Sequence, residues 1–364
     1  MKMMWMLLFM LLPVVAMSYI GWHVWCLLPV GWGWKLLAVV LMVASFLMLF
    51  ANFWRVTDRL PLWLGSVVYD VGTSSIFVLL YLFMLFLLLD LGRLVRLISR
   101  TLLYNNWWMA GGIVLLIFAL FLYGNLHYKH KYREELKLTS AKVTKPVRLV
   151  MMSDLHIGYH NRRDELHRWV DIINSEQPDA ILIAGDIIDG SMRPILEEQM
   201  AEEFRRLKAP VYACLGNHEY FSGEPAARQF YQDAGIHLLR DSAAVVGDLC
   251  IIGRDDRMNM HRKNLAALLK QDVSPSTHFT ILLDHQPYHL EQAERAGIDF
   301  QFSGHTHHGQ VWPISWITDH VYECAFGEHL RGHTRYYITS GLGIWGGKFR
   351  IGTRSEYVVV SIEH

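Results

Sequence analysis

The first third of the chain consists of long apolar runs, whereas the rest alternates short apolar runs with polar segments. Residues 1–125 hold only ten acidic or basic side chains, although the chain has 34 basic and 34 acidic residues. Four apolar runs in this part approach the length at which a helix crosses about 30 Å of hydrocarbon. The pattern therefore predicts an all-α transmembrane region of four helices within residues 1–126, at 5–20, 36–53, 71–89 and 110–123.

The ends of these runs give a prediction of orientation. A cleaved signal peptide would explain the first run but not the next three, so several spans are the better interpretation. With four spans, the N-terminus and the remainder of the chain face the same side of the membrane. Basic residues are more numerous on that side, which predicts that the remainder lies in the cytoplasm. They are Lys2, Arg55, Arg59, Lys129, Lys131, Arg133 and Lys137, against Lys35, Arg93, Arg96 and Arg100 on the other side.

Beyond the membrane region the pattern changes to that of a folded water-soluble domain. Residues 127–146 are polar and charged, and we interpret them as a juxtamembrane connector to a second domain at 147–364. In that domain short β-rich runs alternate with helical patterns such as 164–176, which has its apolar residues on one face. This alternation predicts an α/β domain. The β-rich runs are 147–152, 180–184, 211–215, 279–283 and 300–302.

Each of these five runs is followed by side chains of the kinds that bind metal ions. Because sites in open α/β sheets form at the carboxyl ends of strands, residues far apart in sequence can converge there. Carboxylate, imidazole and amide oxygen suit divalent manganese, iron or zinc. No cysteine is among these residues, which argues against a structural thiolate zinc site. The residues are Asp154 and His156, Asp186 and Asp189, Asn217 and His218, His285, and His305 and His307.

Two ions about 3.5–4 Å apart need a ligand that bridges them, and a carboxylate with two oxygens suits that position. Asp186 is the candidate bridge. The glycines before Asp186, Asn217 and His305 would let the backbone come close to the ions. We interpret Asp189 as a turn residue that bonds to backbone rather than as a metal ligand.

The same residues form five blocks, D-x-H, G-D-x-x-D, G-N-H-E, H and G-H-x-H, that resemble the calcineurin-like metallophosphoesterases. The resemblance covers roughly residues 147–364. The stretches S-D-L-H-I-G and G-H-T-H-x-G-Q are most similar to the membrane-associated YaeI- and YkuE-like bacterial phosphodiesterases. The resemblance implies a β-sandwich flanked by helices. It also implies a hydrolase of phosphoric esters that uses two divalent metal ions. Manganese is the expected metal, and iron, zinc and nickel are the alternatives.

The resemblance also assigns roles to individual residues. It implies a metal-bridging hydroxide as the nucleophile, with no phospho-enzyme, and His218 as the general acid toward the leaving oxygen. Asp154 or a nearby carboxylate is the candidate to orient His218. The catalytic residues are thus His218 and the bridging Asp186. One implied ion is held by Asp154, His156, Asp186 and His307, and the other by Asp186, Asn217, His285 and His305.

Two positions beside the implied ligands receive separate expectations. His308 stands where the family has a glycine; contact with substrate is one interpretation, and we favour a loop side chain that points to solvent. Asp284 directly precedes His285, and we expect it to orient an imidazole.

Three functions agree with this sequence. The favoured one is a membrane-bound hydrolase of phosphodiester or pyrophosphate bonds, with lipid-linked substrates as its natural extension because a membrane tether concentrates it at the headgroups. A phosphodiesterase on soluble nucleotides is the first alternative. A non-catalytic metal-binding sensor or scaffold is the second, and the complete ligand set argues against it. Because the net charge is zero, no nucleic-acid partner is expected, and the oligomeric state stays open.

Overall fold

The computed structural model of the protein describes residues 2–272 and 277–364. The chain divides into two compact units, Met1–Leu126 and His127–His364.

The first unit is helical throughout its long apolar runs. Three of its helices are long and apolar enough to cross a bilayer, and the described apolar part of the first helix, Leu11–Leu27, is shorter. Three of the four predicted spans are therefore matched. The predicted span at 5–20 lies partly outside the residues whose side chains are described. The helices are α1 Lys2–Leu27, α2 Trp32–Phe53, α3 Leu62–Leu94 and α4 Trp107–Lys129.

The ends of these helices carry residues suited to a membrane boundary. Trp32 and Trp107 begin α2 and α4, Trp54 follows α2, and all three are exposed, as expected of rings that lie at the headgroup level. Within the bundle, Gly72 of α3 lets two helices approach closely, because a Cβ there would lie 2.6 Å from the backbone nitrogen of Leu49 in α2.

The second unit is built on two mixed six-stranded sheets. The strands are β1 Lys131–Thr139, β2 Val147–Met152, β3 Ala180–Ala184, β4 Val211–Cys214, β5 Ile236–Leu238, β6 Ser242–Val246, β7 Leu249–Gly253, β8 Phe279–Leu283, β9 Phe300–Ser303, β10 Gly327–Arg331, β11 Thr334–Ile338 and β12 Ser355–Glu363. The first sheet has the order β1-β12-β2-β3-β4-β5, and the second has the order β10-β11-β9-β8-β7-β6. Strands β2 to β5 run parallel, as do β7, β8 and β9.

Alternate residues of the central strands pack into two different hydrophobic cores. Leu149 and Met151 of β2 lie in the core between the sheets, whereas Val150 and Met152 pack in the core beneath the helices. The predicted α/β sandwich flanked by helices is therefore confirmed. The helices are α5 Arg163–Ser175, α6 Arg193–Glu197, α7 Met200–Phe204, α8 Asn217–Ser222, α9 Glu224–Asp233, α10 Leu265–Asp272, α11 Glu291–Arg295 and α12 Ile314–Val321.

The five predicted strands correspond to β2, β3, β4, β8 and β9, with ends that differ by at most one residue. The predicted helix at 164–176 is α5. The segment interpreted as a connector, residues 127–146, contains a strand, because β1 pairs in parallel with β12 at the edge of the first sheet. The matched strands all deliver their following loops to the carboxyl edges of the two sheets.

Candidate metal centre

The loops after β2, β3, β4, β8 and β9 bring the predicted ligands together. Among the described residues, three groups of side chains have ligand atoms that all lie within 4.8 Å of one another. The groups are Asp154, His156 and His307; Asp186, His285 and His305; and His156, Asp189 and His218.

The first group comes from β2 and β9 and surrounds one point. The Nε2 atoms of His156 and His307 lie 3.1 Å apart. Oδ1 of Asp154 lies 3.5 Å from Nε2 of His307 and 3.7 Å from Nε2 of His156. Three donor atoms of mixed charge thus face one another in a buried site, which is the arrangement that a divalent ion requires.

The second group is centred on Asp186. Its Oδ2 lies 3.0 Å from Nε2 of His285 and also 3.8 Å from Nε2 of His156 in the first group. The ring of His305 lies 5.1 Å from that of His285. The Asp186 carboxylate therefore lies between the two groups, the position that a bridging ligand would take.

Several buried atoms of the candidate ligands lack a hydrogen-bond partner among the described residues, including Oδ1 of Asn217 and the Nδ1 atoms of His156 and His307. Nε2 of His285 likewise has no hydrogen bond, although Oδ2 of Asp186 lies 3.0 Å from it. The Nδ1 atom of His285 lies 2.7 Å from the carbonyl oxygen of Ala184, which fixes the ring so that Nε2 faces the site. Leaving such atoms unpaired costs about 1–3 kcal/mol each. The donor set and its unpaired atoms therefore fit divalent metal ions.

The backbone is strained at these ligands. Five of them adopt positive φ: Asp154 (56°), His156 (45°), Asp186 (50°), His305 (71°) and His307 (48°). Non-glycine residues rarely adopt this conformation, and each costs of order 1–3 kcal/mol. Strain concentrated on the ligands indicates that the surrounding fold holds them in place for function.

Two glycines beside the ligands have a steric role. A Cβ at Gly216 would lie 2.1 Å from Oδ1 of Asp186, and a Cβ at Gly304 would lie 2.2 Å from Oδ2 of Asp154. The sequence predicted that glycines would let the backbone approach the ions. In the structure these two make room for the carboxylates of the candidate ligands.

Burial and neighbouring charges set the protonation of the site. Desolvation by burial, together with nearby His285, lowers the pKa of His305 to about 4, so its imidazole is neutral and able to bind metal. At His156, burial opposes the charge, but Asp154 and Asp189 raise the pKa to about 10. Metal binding at His156 must therefore displace a proton.

His218 lies at the edge of the ligand groups with its side chain 14% exposed. Its backbone N–H donates to Oδ1 of Asp186 at 2.9 Å, and its Nδ1 lies 3.0 Å from the carbonyl oxygen of Asp189. Oδ1 of Asp189 lies 3.4 Å from Nδ1 of both His218 and His156. The carboxylate that faces His218 is thus Asp189, whose side chain was interpreted from the sequence as bonded to backbone.

Glu219 is a site residue to which sequence reasoning assigned no role, although it is the fourth letter of the G-N-H-E block. Its buried carboxylate accepts four backbone N–H donors, from Gly216 (2.7 Å), Ile187 (2.8 Å), Ile188 (3.0 Å) and Asp186 (3.1 Å). It therefore joins the loop that carries Asp186 to the start of α8, which carries Asn217 and His218.

Arg350 was also missed, because an isolated arginine carries no sequence signal. It is fully buried, and its Nη1 donates to the carbonyl oxygen of His307 at 2.6 Å. Its Nη2 donates to the carbonyl oxygens of Ser340 and Gly343. The guanidinium thus ties a ligand loop to the segment before β12.

The expectation that Asp284 orients an imidazole is wrong. Its carboxylate instead accepts from Nη1 of Arg254 at 2.9 Å and from Nη1 of Arg262 at 3.2 Å. Two arginines compete successfully for it because a guanidinium bonds a carboxylate more strongly than a neutral imidazole does.

The expectation that His308 points to solvent is wrong as well. Its ring stacks on Phe326 with centroids 4.7 Å apart, and its Nε2 lies 3.3 Å from Oδ1 of Asp319. The side chain is half-buried because the loop turns it toward α12 and the segment before β10.

Comparisons with known proteins find metallophosphoesterases among the similar sequences. Residues 147–309 match the family model described as calcineurin-like phosphoesterase. The chain is 28% identical to an uncharacterized metallophosphoesterase of Helicobacter pylori, over 59% of each chain, so it spans about three-fifths of that relative's length. It is 28% identical to a Danio rerio transmembrane protein with metallophosphoesterase domain, over 88% of this chain and 78% of that protein. Among solved structures, it is similar to a dimetal phosphatase from Danio rerio at 13% identity and a TM-score of 0.35, over 53% of this chain and 87% of that chain. Residues 147–309, which contain all the candidate ligands, are thus similar to the calcineurin-like phosphoesterases.

Proposed function

We propose that the chain is a membrane-bound hydrolase that cleaves phosphodiester or pyrophosphate bonds with two divalent metal ions. The observation that carries the proposal is the convergence of the candidate ligands into two groups, with the Asp186 carboxylate between them and the buried Oδ1 of Asn217 left without a hydrogen-bond partner among the described residues. One ion would be held by Asp154, His156, Asp186 and His307, and the other by Asp186, Asn217, His285 and His305.

When bound, such ions supply Lewis-acid stabilisation of the phosphoryl oxygens and a hydroxide near neutral pH. The protein provides the proton for the leaving oxygen. Because Nδ1 of His218 is engaged with Asp189, Nε2 is the nitrogen free to donate. The Asp189 carboxylate, with Oδ1 3.4 Å from Nδ1, helps to hold the imidazole in the orientation needed for this transfer.

Metal removal and replacement test the proposal directly. The full chain, purified in detergent and stripped of metal, is expected to lose hydrolysis of bis(p-nitrophenyl) phosphate and to recover it when manganese is restored. Recovery should level off at two bound ions per chain, measured by elemental analysis beside the rate. A folded chain that binds two ions but hydrolyses neither this diester nor a pyrophosphate would contradict the proposal and favour a sensor.

An apolar surface beside the site supports lipid-linked substrates. Helix α12 follows the ligand loop that carries His305 and His307, and Gly309 lets the two lie close, since a Cβ there would be 2.4 Å from the nitrogen of Ser315. Exposed apolar side chains on and before α12 form this surface, which suits the boundary between lipid headgroups and acyl chains. They are Trp312 (39% exposed), Trp316 (64%), Ile317 (61%) and Val321 (56%).

The membrane arrangement is part of the proposal. The three apolar helices and the relative described as a transmembrane protein support attachment to a bilayer. We place the metal centre on the cytoplasmic side, because basic residues are more numerous on the side that the N-terminus shares with the second unit, His127–His364, hereafter the catalytic unit. Protease protection of the catalytic unit in sealed right-side-out vesicles tests this placement.

Replacing the centre of the apolar surface is expected to reduce selectively the turnover of substrates in a bilayer. For the double variant Trp316→Ala/Ile317→Ser, kcat/KM for an alkyl p-nitrophenyl phosphodiester held in vesicles should fall about tenfold relative to that for bis(p-nitrophenyl) phosphate in solution. Val245→Ser, which removes a similarly exposed apolar side chain (54%) from β6, is the matched control. An equal change for both substrates would refute a lipid-docking role and favour soluble nucleotides.

A further inference from the structure

A second concave site lies in the catalytic unit beyond the metal ligands. It is a pocket of about 360 Å³ at the carboxyl ends of β7 and β8. Basic side chains line much of it, and none of its described lining residues is acidic. Its principal lining residues are Arg254, Arg257, Arg262, Lys263 and His289.

The positive charge of this pocket is only partly neutralised. Arg254 and Arg262 share one carboxylate, that of Asp284. Within the described part of the chain no ion pair involves Arg257 or Lys263, and the buried Nη1 of Arg257 has no hydrogen-bond partner. The pocket therefore presents cationic donors that lack an anion.

The other nearby carboxylates do not pair with Arg257, although Glu291 lies 3.5 Å from Nδ1 of His289 and Asp241 accepts from the backbone N–H of Lys263. Asp256 accepts from the side chain of Gln286 and the backbone of Met258. Asp255 is paired with Arg240. Among the described residues, Arg257 is thus the lining arginine that no internal carboxylate pairs with.

The pocket is connected to the metal centre through two aromatic side chains. The guanidinium of Arg257 lies 4.6 Å from the centroid of the Tyr288 ring. The hydroxyls of Tyr288 and Tyr322 lie 3.0 Å apart, and the ring of Tyr322 lies 6.4 Å from that of His305. These contacts link Arg257 to the metal centre through the two tyrosines.

We propose that this basic pocket binds a second phosphate of the substrate, with Arg257 as its principal donor. The inference rests on the proposed function and narrows it to phosphoesters that carry another phosphate, such as a pyrophosphate. The planar fork of arginine donates two parallel hydrogen bonds to phosphate oxygens, which suits an otherwise unpaired guanidinium. The second phosphate can belong to a soluble nucleoside diphosphate or to a lipid diphosphate headgroup.

Substrate preference tests the assignment in the full-length chain. Arg257→Gln is expected to raise the KM for a diphosphate-bridged substrate about tenfold more than the KM for bis(p-nitrophenyl) phosphate. Arg257→Lys, which keeps the charge but loses the fork, should recover part of this difference. Arg205→Gln, at an exposed arginine after α7, is the matched control and should change neither KM. Equal changes in both KM values, or none, would overturn the proposal.

Two substrate arms identify the source of the phosphate. A dinucleoside diphosphate in solution represents nucleotides, and a nucleoside diphosphate lipid in vesicles represents a headgroup. If Arg257→Gln raises the KM in at least one arm, the pocket is supported. The arm or arms affected then identify the source of the phosphate. Its absence from both arms overturns the pocket.

Binding without turnover separates this proposal from the proposed function. Inorganic pyrophosphate should bind the metal-stripped full chain in calorimetry, and Arg257→Gln should weaken that binding at least tenfold. If this occurs while no ester is hydrolysed, the pocket stands and the hydrolase proposal fails. If esters are hydrolysed but Arg257→Gln leaves pyrophosphate binding and substrate preference unchanged, the pocket proposal fails alone.

Discussion

His218→Ala is expected to lower kcat for bis(p-nitrophenyl) phosphate by about 10²–10⁴-fold while the chain still binds its metal ions. The side chain of His218 is 14% exposed at the edge of the ligand groups, and Asp189 holds its Nδ1. Removing it takes away the proton donor but leaves the principal donor atoms of both groups. The rate and the metal content should therefore respond differently.

Two comparisons make this result specific. Asn217→Ala removes an unpaired buried ligand atom, so it is expected to lose activity together with metal content. His237→Ala, at an exposed histidine on β5, should change neither. If His218→Ala loses metal as fully as Asn217→Ala does, His218 is a ligand rather than the general acid.

The strands that carry the ligands could be predicted because of where they lie in the sheets. β2, β3 and β8 are central and covered on both faces, so they are almost continuous apolar runs. β1 lies at an edge, and only Leu136 and Leu138 of its nine residues are buried. Its charged sequence therefore predicts a connector and not a strand. Its pairing with β12 is a long-range contact that the local pattern does not encode.

The candidate site likewise has residues that the local sequence predicts and residues that it does not. The kinds of residue that follow each strand predicted which side chains would meet, and the structure brings them together. Residue spacing carried no information about Arg350, which reaches the His307 loop from a segment 43 residues away. The Asp284 error has the same origin, since Arg254 and Arg262 approach from a different loop. Local sequence thus predicted the candidate ligands but not the residues that position them.

Glu219→Ala is expected to have the largest effect on stability, lowering the unfolding temperature of the metal-free catalytic unit by about 10 °C. The substitution leaves four buried backbone N–H groups unsatisfied, each at a cost of about 1–3 kcal/mol before relaxation and water entry reduce the total. In a domain of this size, 1 kcal/mol shifts the midpoint by about 2–4 °C. Metal affinity should fall as well, because the Asp186 loop and the start of α8 lose their common anchor.

A thiol-reactive dye can follow this unfolding separately from the membrane helices. Cys214 of β4 and Cys250 of β7 are buried in the sheets, and burial raises the pKa of both thiols, so they react only on opening. Replacing the partly exposed Cys26 and Cys324 with serine removes the background. Glu197→Ala, at an exposed ion pair on α6, should shift the midpoint by less than about 2 °C. If Glu219→Ala unfolds at the same temperature as Glu197→Ala but loses its metal ions, the carboxylate positions the ligands without stabilising the fold.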